Sequence, residues 1–286
     1  MSSDVLTAAC SLLSPCRVCP RECRAERTKG PNGFCRTGLR PKVASAGAHF
    51  GEEPVLVGPG GSGTIFFQRC NLDCVFCQNC DISHTDGGVE TSAEELAALM
   101  LQLERRKCSN VNLVTPTHVA PQSMEAILLA RRQGMSVPIV YNCGGYESVE
   151  MLALLEGLIQ IYMPDFKYAS ARAGQKYSGV SDYPRVAQAA LAEMYRQVGP
   201  LQVDDRGLAV RGVLVRHLVM PADIADSEKA IDMVADTAPG CAINVMGQYR
   251  PSFRASEFPQ LLAMPKGREI QRLREHALAR GLVRVN

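Results

Sequence analysis

The chain has 286 residues, of which 46% are hydrophobic and 21% are charged, an ordinary composition for a globular protein. Its formal net charge of +2 excludes the strong attraction to nucleic acid or acidic membranes that very basic chains show. No window reaches the roughly 20 apolar residues of a membrane span, and the N-terminus lacks a basic start followed by an apolar run. We therefore expect no signal peptide, no membrane or nucleic-acid partner, and a cytoplasmic protein.

The twelve cysteines are unevenly distributed, because nine of them lie between Cys10 and Cys80. In a reducing cytoplasm, clustered thiols bind metal more often than they form disulfides. The first residues also contain many arginines and turn formers, without a sustained apolar period. We therefore predict a small Cys-rich segment over residues 1–48, which buries little core and needs a metal to order it, and a larger domain over residues 49–286.

From about residue 61 onward, segments with strand character alternate with segments of helical periodicity. The predicted strands are 64–67, 111–114, 137–141, 159–163, 208–215 and 241–245. The predicted helices are 93–106, 121–132, 149–156, 184–198, 227–235 and 266–280. Repeated βα units imply parallel strands with right-handed crossovers. Six units are too few for a full eight-unit barrel, and no GxGxxG motif supports an open dinucleotide-binding sheet, so we predict an α/β fold with a partial (βα)6, TIM-like barrel.

Polar or glycine-rich stretches follow all six predicted strands. They begin at Cys70, Thr115, Asn142, Pro164, Arg216 and Met246. Barrels of this class place their active sites at the carboxyl ends of the strands. We therefore expect these stretches to line one cavity.

Cys70, Cys74 and Cys77 form a CxxxCxxC motif directly after the first predicted strand. This spacing lets one short loop wrap a cubane [4Fe–4S] cluster and present three thiolates to three of its irons. The fourth iron then has no protein ligand within the motif, which leaves it open for the amino and carboxylate groups of S-adenosylmethionine (SAM). One electron from such a cluster cleaves a C–S bond of SAM and releases a 5′-deoxyadenosyl radical. The motif therefore predicts a radical-generating enzyme.

A zinc site is the structural alternative for this loop, since zinc takes four ligands and Cys80 can supply the fourth. The open cluster is favoured because the loop follows a first strand and opens a βα barrel rather than a small zinc ribbon. Phe76, directly before the third thiolate, fits an aromatic platform for the adenine of SAM. Cys80 is then either a reserve ligand or a thiol close to the cluster.

CxxxCxxC with an aromatic residue before the third cysteine is the signature of the radical SAM superfamily, which this chain resembles. Residues 61–67 (Gly-Ser-Gly-Thr-Ile-Phe-Phe) and Cys77-Gln78-Asn79 are similar to a branch related to pyruvate formate-lyase-activating enzymes. The similarity extends over nearly the whole chain, including the N-terminal Cys-x-x-Cys-Pro-Arg-x-Cys. The resemblance implies an oxidoreductase whose partial barrel holds the cluster and SAM.

The resemblance also implies site residues after strands two and three. Activating enzymes carry a Gly-Gly-Glu stretch after strand two that receives the SAM amino group, and here Thr115-Pro116-Thr117-His118 stands in its place. Carbonyl groups near Thr115 and the Thr117 hydroxyl are the candidate replacements, while His118 is either part of the site or a satisfied structural histidine. Asn142, followed by two glycines, offers an amide to the SAM carboxylate or ribose, unless the glycines only form a turn.

Asp165-Phe166-Lys167 resembles the Asp-x-Lys motif of activating enzymes, whose charged pair contacts SAM. Residues i and i+2 of a strand face the same way, so both charged side chains can point into the barrel, where each needs the other as a partner. The alternative is an ion pair that only supports the barrel. Arg216 and Pro221 match an Arg-x-x-x-x-Pro pattern after strand five, and a guanidinium suits carboxylate recognition. We assign Lys167 to catalysis with the three loop cysteines, and Asp165 and Arg216 to cofactor binding.

Cys16, Cys19, Cys23 and Cys35 form a CxxC-x3-C-x11-C pattern. Four thiols at this spacing predict a second metal site. Structural zinc and a [4Fe–4S] cluster both accept four thiolates, so the spacing leaves the metal open. Analogy with superfamily members that carry an auxiliary cluster favours iron–sulfur, which would relay electrons or anchor substrate, whereas zinc would only fold the segment.

Three functions are compatible with these patterns. The first is an activating enzyme whose radical abstracts hydrogen from a glycine of a glycyl radical enzyme, and the second is direct radical modification of a small molecule or peptide. The third is a non-catalytic iron–sulfur or zinc-binding adaptor, which the motifs at the strand ends argue against. A radical enzyme of this kind needs a low-potential electron donor such as flavodoxin or ferredoxin. It also needs an anaerobic or low-oxygen cytoplasm, because oxygen degrades exposed clusters.

Overall fold

A computed structural model of the protein describes residues 3–285. Residues 1, 2 and 286, which belong to the two predicted segments, lie outside the described residues. The helices of the described part are α1 (Ser3–Ser11), α2 (Cys80–Ser83), α3 (Ala93–Arg105), α4 (Ala120–Arg132), α5 (Val149–Leu154), α6 (Ala171–Ser178), α7 (Tyr183–Val198), α8 (Ser227–Thr237) and α9 (Gly267–Ala279). The strands are β1 (Lys42–His49), β2 (Ser62–Phe67), β3 (Val89–Glu90), β4 (Val111–Val114), β5 (Ile139–Cys143), β6 (Ile161–Pro164), β7 (Gln202–Val203), β8 (Ala209–Leu218), β9 (Ala242–Met246) and β10 (Val283–Arg284).

Within residues 3–285 the strands form one sheet in the order β10-β9-β8-β6-β5-β4-β2-β1-β3, and β7 pairs with β8 outside this path. All neighbouring pairs from β2 to β10 in that order are parallel, whereas β1 is antiparallel to both β2 and β3. The six predicted βα units correspond to β2, β4, β5, β6, β8 and β9, which are consecutive in the sheet. The predicted α/β fold with a partial (βα)6 barrel is therefore confirmed.

The parallel strands turn alternate side chains to opposite faces of the sheet. On the outer face, large side chains such as Tyr141 and Tyr162 join the main hydrophobic core beneath the helices. On the inner face, Val140 and Ile161 belong to a smaller apolar cluster. The strands are buried on both faces, which explains why they read as continuous apolar runs in the sequence.

The connection between β1 and β2 fills the amino end of the barrel. Pro54–Leu56 forms a 3-10 turn, and Leu56 is fully buried in the inner apolar cluster. The side-chain amide of Asn110, which directly precedes β4, donates a hydrogen bond of 2.8 Å to the carbonyl of Leu56. Because parallel strands begin at the same edge of a sheet, this bond places Leu56 at the amino ends of the strands.

Helix boundaries follow local sequence signals. Helix α3 begins with a capping box, in which the Ser92 side chain accepts from the Glu95 N–H and the Glu95 carboxylate accepts from the Ser92 N–H. Helix α7 has a proline in its first turn and ends at Gly199, which has a positive φ of 69°. In the described part of the chain, every helix is too short or too polar to cross a membrane.

The N-terminal segment is built into the fold more deeply than its sequence indicates. Helix α1 packs against α4 and α5, and Ala9 and Leu12 have at most 1% of their surface exposed. The expectation that this segment buries little core was therefore wrong for its described residues, because one face of a nine-residue helix covers the barrel helices. The predicted boundary at residue 48 falls inside β1, which pairs with β2.

Replacing Leu56 by alanine should destabilise the fold. Truncating a fully buried leucine loses its transfer free energy and leaves a cavity, which together cost about 2–5 kcal/mol. Leu56 is 0% exposed, whereas Leu278 on α9 is 51% exposed. We expect Leu56→Ala to lower the free energy of unfolding by that amount in a denaturant titration, and Leu278→Ala to lower it by about 0.5 kcal/mol or less. Equal effects of the two substitutions would contradict the burial of Leu56 in the barrel.

Candidate active site

The CxxxCxxC loop follows β2 and is held in place from two sides. The N–H of Asp73 donates to the carbonyl of Ser178 at 3.2 Å, and the N–H of Val75 donates to the preceding carbonyl of the same helix, α6. On the other side, the Asn71 amide donates to the carbonyl of Tyr146 at 2.8 Å. The end of α6 and the stretch after β5 therefore fix the shape of the loop.

The three thiols of this loop share one buried environment. The charge of Cys74 acts on both Cys70 and Cys77. The Cys74 sulfur is 3.0 Å from the hydroxyl oxygen of Ser178, and the N–H of Leu72 donates to the Cys70 sulfur at 3.4 Å. Burial raises the pKa of all three thiols, that of Cys77 to about 11. With these raised pKa values, the three groups become thiolates near neutral pH when they bind a metal.

The ammonium group of Lys167 lies close enough to act on all three thiols. Burial raises the pKa of Cys70, Cys74 and Cys77, and the positive charge of Lys167 opposes that effect at each of them. The Lys167 Nζ lies 2.6 Å from Oδ2 of Asp165, and both side chains are only 18% exposed. The predicted pairing of these two side chains is confirmed, and the structure places the pair beside the cysteine loop.

Asp165 is the centre of a larger ion cluster at the carboxyl ends of β5, β6 and β8. Arg216 donates from Nε to Oδ1 of Asp165 at 3.0 Å and from Nη2 to Oδ1 of Asn142 at 2.7 Å. Burial alone would raise the pKa of Asp165, but the two neighbouring cations hold it below its usual value. Although burial favours the neutral forms of Lys167 and Arg216, the carboxylate raises the pKa of both. Four predicted site residues therefore lie together.

These residues fit an open [4Fe–4S] cluster with SAM. Each thiolate of a cubane binds a different iron, so the ligands need not converge on one point. The adjacent ammonium and the backbone N–H directed at Cys70 both favour thiolate ligands. The ion cluster of Asp165, Lys167 and Arg216 offers charges of both signs to the amino and carboxylate groups of SAM.

Glu147 is a buried carboxyl group for which the sequence analysis gave no role. The hydroxyl of Thr117 donates to its Oε1 at 2.6 Å, and the hydroxyl of Tyr141 donates to its Oε2 at 3.1 Å. Burial raises the pKa of Glu147 to about 7. The Thr117 proton is therefore directed at Glu147, and contact of the Thr117 oxygen with SAM stays a prediction.

The backbone constrains Thr115 and His118. Thr115 has a φ of 61°, which is unusual for a β-branched residue, and its N–H donates to the carbonyl of Asn142 at 2.8 Å. His118 is fully buried, and its Nε2 donates to the carbonyl of Gln68 at 2.9 Å. Burial lowers the pKa of His118 to about 4, so the imidazole is neutral at pH 7. Its contact with the chain just before the cysteine loop supports a structural role for His118, while its Nδ1 has no hydrogen-bond partner among the described residues.

Phe76 is 5% exposed and lies between two aromatic rings rather than on an open surface. It packs edge-to-face on Tyr168 and at an angle of 53° to Tyr249. The loop that carries Tyr249 is also tied to the cysteine loop by an ion pair of 2.9 Å between Arg254 and Asp73. Contact of Phe76 with adenine stays a prediction.

The four N-terminal cysteines also lie near one another. Cys16 and Cys23 interact, and Cys19 interacts with both Cys16 and Cys35. All of these thiols are free, and all but Cys23 are buried. The predicted second set of ligands is thus brought together, while its metal stays a prediction. Cys80 begins α2 and is partly exposed, which leaves its role open.

Sequence reasoning missed Ser178, Glu147 and the buried Arg27. Ser178 contacts Cys74 from the end of α6, a short helix that lies outside the predicted helices. Arg27 donates to the sulfur of Cys35 and stands among several arginines of similar appearance in the sequence. Glu147 had one visible signal, since it closes the glycine-containing stretch that follows β5.

Acidification should destabilise the fold through His118. Burial lowers the pKa of His118 from 6.5 to about 4, so the unfolded chain binds a proton at a pH where the folded chain does not. The free energy of unfolding then falls as the pH is lowered from about 6.5 toward 4. His118→Gln removes this titration, and we expect a shallower pH dependence, by up to roughly 3 kcal/mol over the range.

Denaturant titrations between pH 7 and pH 4.5 measure this difference. His276→Gln is the matched control, because the side chain of His276 is 28% exposed and pairs with Asp232 on the surface. Parallel pH profiles for His118→Gln and the unmodified protein would show that His118 is not held neutral by burial.

Comparisons with known proteins agree with these features. A protein-family model described as "4Fe-4S single cluster domain" matches residues 56–155, which contain the CxxxCxxC loop. An uncharacterised protein of Methanocaldococcus jannaschii is 30% identical over 277 residues, covering 93% of this chain and 75% of that protein. The pyruvate formate-lyase-activating enzyme of Clostridium pasteurianum is 33% identical over 100 residues, which are 32% of this chain and 42% of the enzyme.

Among solved structures, a radical S-adenosylmethionine methyltransferase from Kitasatospora setae, with cobalamin and a [4Fe–4S] cluster bound, is similar with a TM-score of 0.42 and 12% identity. The similarity covers 62% of this chain and 34% of that structure. The family model and the three-cysteine loop coincide in the same stretch of the chain. The chain belongs to the family of the Methanocaldococcus jannaschii protein.

Proposed function

We propose that the protein cleaves SAM reductively and uses the 5′-deoxyadenosyl radical to abstract a hydrogen atom from a substrate. The observation that carries this proposal is the position of Lys167. Its ammonium group acts on all three thiols of the CxxxCxxC loop and pairs with Asp165, which also binds Arg216. A thiol triad and a charged site for an amino acid thus lie side by side at the carboxyl ends of the strands.

When bound, the cluster supplies the single electron that splits the C–S bond of SAM, giving methionine and the radical. A low-potential donor, such as reduced flavodoxin or ferredoxin, provides that electron. The residues of the chain hold and orient these groups. Lys167 and Arg216 suit the SAM carboxylate, and Asp165 suits the SAM amino group. The remaining SAM contacts of the proposal are the predicted ones of Thr115, Thr117, Asn142 and Phe76.

We propose an activating-enzyme role, in which the hydrogen comes from a glycine Cα of a glycyl radical enzyme. The similarity to the Clostridium pasteurianum enzyme supports this role over the 32% of the chain that it covers. The Asp-x-Lys pattern at Asp165 and Lys167 also supports it, since both side chains lie beside the thiols. Radical modification of a small molecule or peptide would use the same residues and differ only in the substrate.

SAM cleavage is tested by anaerobic incubation of the reconstituted protein with dithionite and SAM. We expect equal amounts of 5′-deoxyadenosine and methionine by liquid chromatography. Cys74→Ala should abolish both products, because the cluster then loses one of its three ligands. Cys241→Ala is the matched control, since Cys241 is fully buried but precedes β9 at the opposite end of the strands. Wild-type activity in Cys74→Ala would overturn the proposal.

Addition of a glycyl radical enzyme to the same reaction separates the two substrates. A glycyl radical detected by electron paramagnetic resonance (EPR) supports the activating role. SAM cleavage without that radical, across the available glycyl radical enzymes, would contradict the activating role and leave direct modification.

Asp165→Asn should weaken the site, because two largely buried cations lose the carboxylate that they share. Removing one partner of a buried ion pair costs about 3–5 kcal/mol, and the side chains of Asp165, Lys167 and Arg216 are at most 19% exposed. We expect a loss of that size in the free energy of unfolding, measured by denaturant titration.

The control is Asp236→Asn, which breaks a surface pair with Arg280 in which the Asp236 side chain is 69% exposed. Such a pair contributes about 0–1 kcal/mol. An equally small effect of Asp165→Asn would show that its carboxylate does not hold the two cations.

A further inference from the structure

The N-terminal segment contains a buried cation for which the described residues provide no carboxylate partner. Arg27 is 2% exposed. Its guanidinium donates to the carbonyl of His118 at 2.6 Å and to the sulfur of Cys35 at 3.6 Å. A buried charge without a counter-charge is costly, so this position calls for an anion on the side where the sulfur lies.

The other N-terminal cysteines interact with the same guanidinium or with one another. Arg27 acts on both Cys16 and Cys23 and forms a side-chain hydrogen bond with Cys16. Cys19 completes the set through its interactions with Cys16 and Cys35. One guanidinium thus interacts with three of the four sulfurs. It would balance part of the negative charge of four thiolates around a metal centre.

Backbone N–H groups are also directed at these sulfurs. In each case the donor lies two residues after the cysteine, and the pairs are Cys16 with Val18, Cys19 with Arg21 and Cys23 with Ala25. The CxxxCxxC loop repeats this arrangement in Cys70 with Leu72 and Cys77 with Asn79. Such donors stabilise thiolate sulfur and tune the potential of iron–sulfur clusters. The N-terminal segment thus shares this local geometry with the CxxxCxxC loop.

The backbone at Gly33 packs closely against Cys23. Gly33 packs so closely that an added Cβ would lie 3.1 Å from the Cys23 sulfur and 3.0 Å from the Ala25 Cβ. Glycine at this position therefore lets the chain pass against the sulfur without a side chain in between.

The N-terminal sulfurs and the CxxxCxxC loop are directly connected. Cys35 and Cys70 line the same cleft, whose volume is about 230 Å³. A chain of hydrogen bonds also joins them: Arg27 binds the Cys35 sulfur and the His118 carbonyl, and the His118 ring binds the carbonyl of Gln68, two residues before Cys70. This closeness favours a redox centre over zinc, because zinc has no second oxidation state through which it could exchange an electron with the neighbouring site.

We propose that Cys16, Cys19, Cys23 and Cys35 bind a second [4Fe–4S] cluster, with Arg27 as its buried counter-cation. All four irons have a cysteine ligand, so this cluster stores and passes one electron and does not bind SAM. Electrons from the low-potential donor enter here and continue to the cluster of the CxxxCxxC loop. The binding of this second cluster does not depend on the proposed function, whereas its part in electron transfer does.

The binding is tested in the full-length triple variant Cys70→Ala/Cys74→Ala/Cys77→Ala, which lacks the ligands of the first cluster. After anaerobic reconstitution with iron and sulfide, we expect about four iron and four sulfide per chain and an EPR signal after reduction by dithionite. Adding Cys16→Ala and Cys19→Ala should remove both, whereas adding Cys241→Ala should remove neither. One zinc per chain without sulfide, or no metal, would overturn the proposal. SAM cleavage is not measured, so failure of the proposed function does not affect this result.

The role of Arg27 is tested by an EPR-monitored redox titration of Arg27→Met in the same triple variant. We expect the reduction potential of the N-terminal cluster to become more negative, because reduction adds negative charge that the guanidinium no longer offsets. Arg27→Lys keeps the charge and should shift the potential less. Arg24→Met is the matched control, since the Arg24 side chain is 56% exposed and solvent screens it. An unchanged potential in Arg27→Met would overturn the assignment of Arg27. If that variant does not fold, Arg27→Lys decides through the same titration.

Discussion

The site depends on a balance of charge between buried sulfurs and a buried salt-bridge cluster. Lys167 and Arg216 both pair with the carboxylate of Asp165, and the charges of Glu53 and Glu52 also act on Arg216. Burial raises the pKa of the three thiols although the Lys167 ammonium opposes it, so the thiols become thiolates near neutral pH when they bind a metal. The carboxyl edge of the sheet is where the fold brings the thiols and the charged side chains together.

Hydrogen bonds and close packing fix the backbone around Asp165. The buried hydroxyl of Tyr183 donates to the carbonyls of Gly144 and Asp165 at 2.9 and 3.0 Å and accepts from the N–H of Lys167 at 2.9 Å. Gly145 has a φ of 79°, and a Cβ there would lie 2.0 Å from the Asp165 carbonyl oxygen. One phenol and one glycine thus hold the ends of β5 and β6 together, so the charged side chains above them start from a rigid base.

The barrel strands and helices could be predicted closely from the sequence, because apolar strands and helix caps are local signals. Helix α6 escaped detection since its eight residues are mostly polar or small, and it is placed by contacts such as Gly174 against Tyr183. The site residues also fall into a group that local sequence signals reveal and a group that only the folded chain brings into place. The cysteine loop, Asp165, Lys167 and Arg216 stand at strand ends that the alternation of elements reveals. Ser178 and Arg27 act on partners 104 and 91 residues away, and only the folded chain brings these together.

The position of Leu56 limits the directions from which a reactant can enter the barrel. Its side chain occupies the amino end of the barrel, so that end is closed to a small molecule approaching the site residues. Under the proposed function, a macromolecular substrate docked over the carboxyl ends of the strands would cover the nucleoside. An ordered mechanism, in which the nucleoside binds before the macromolecule, would follow from that arrangement.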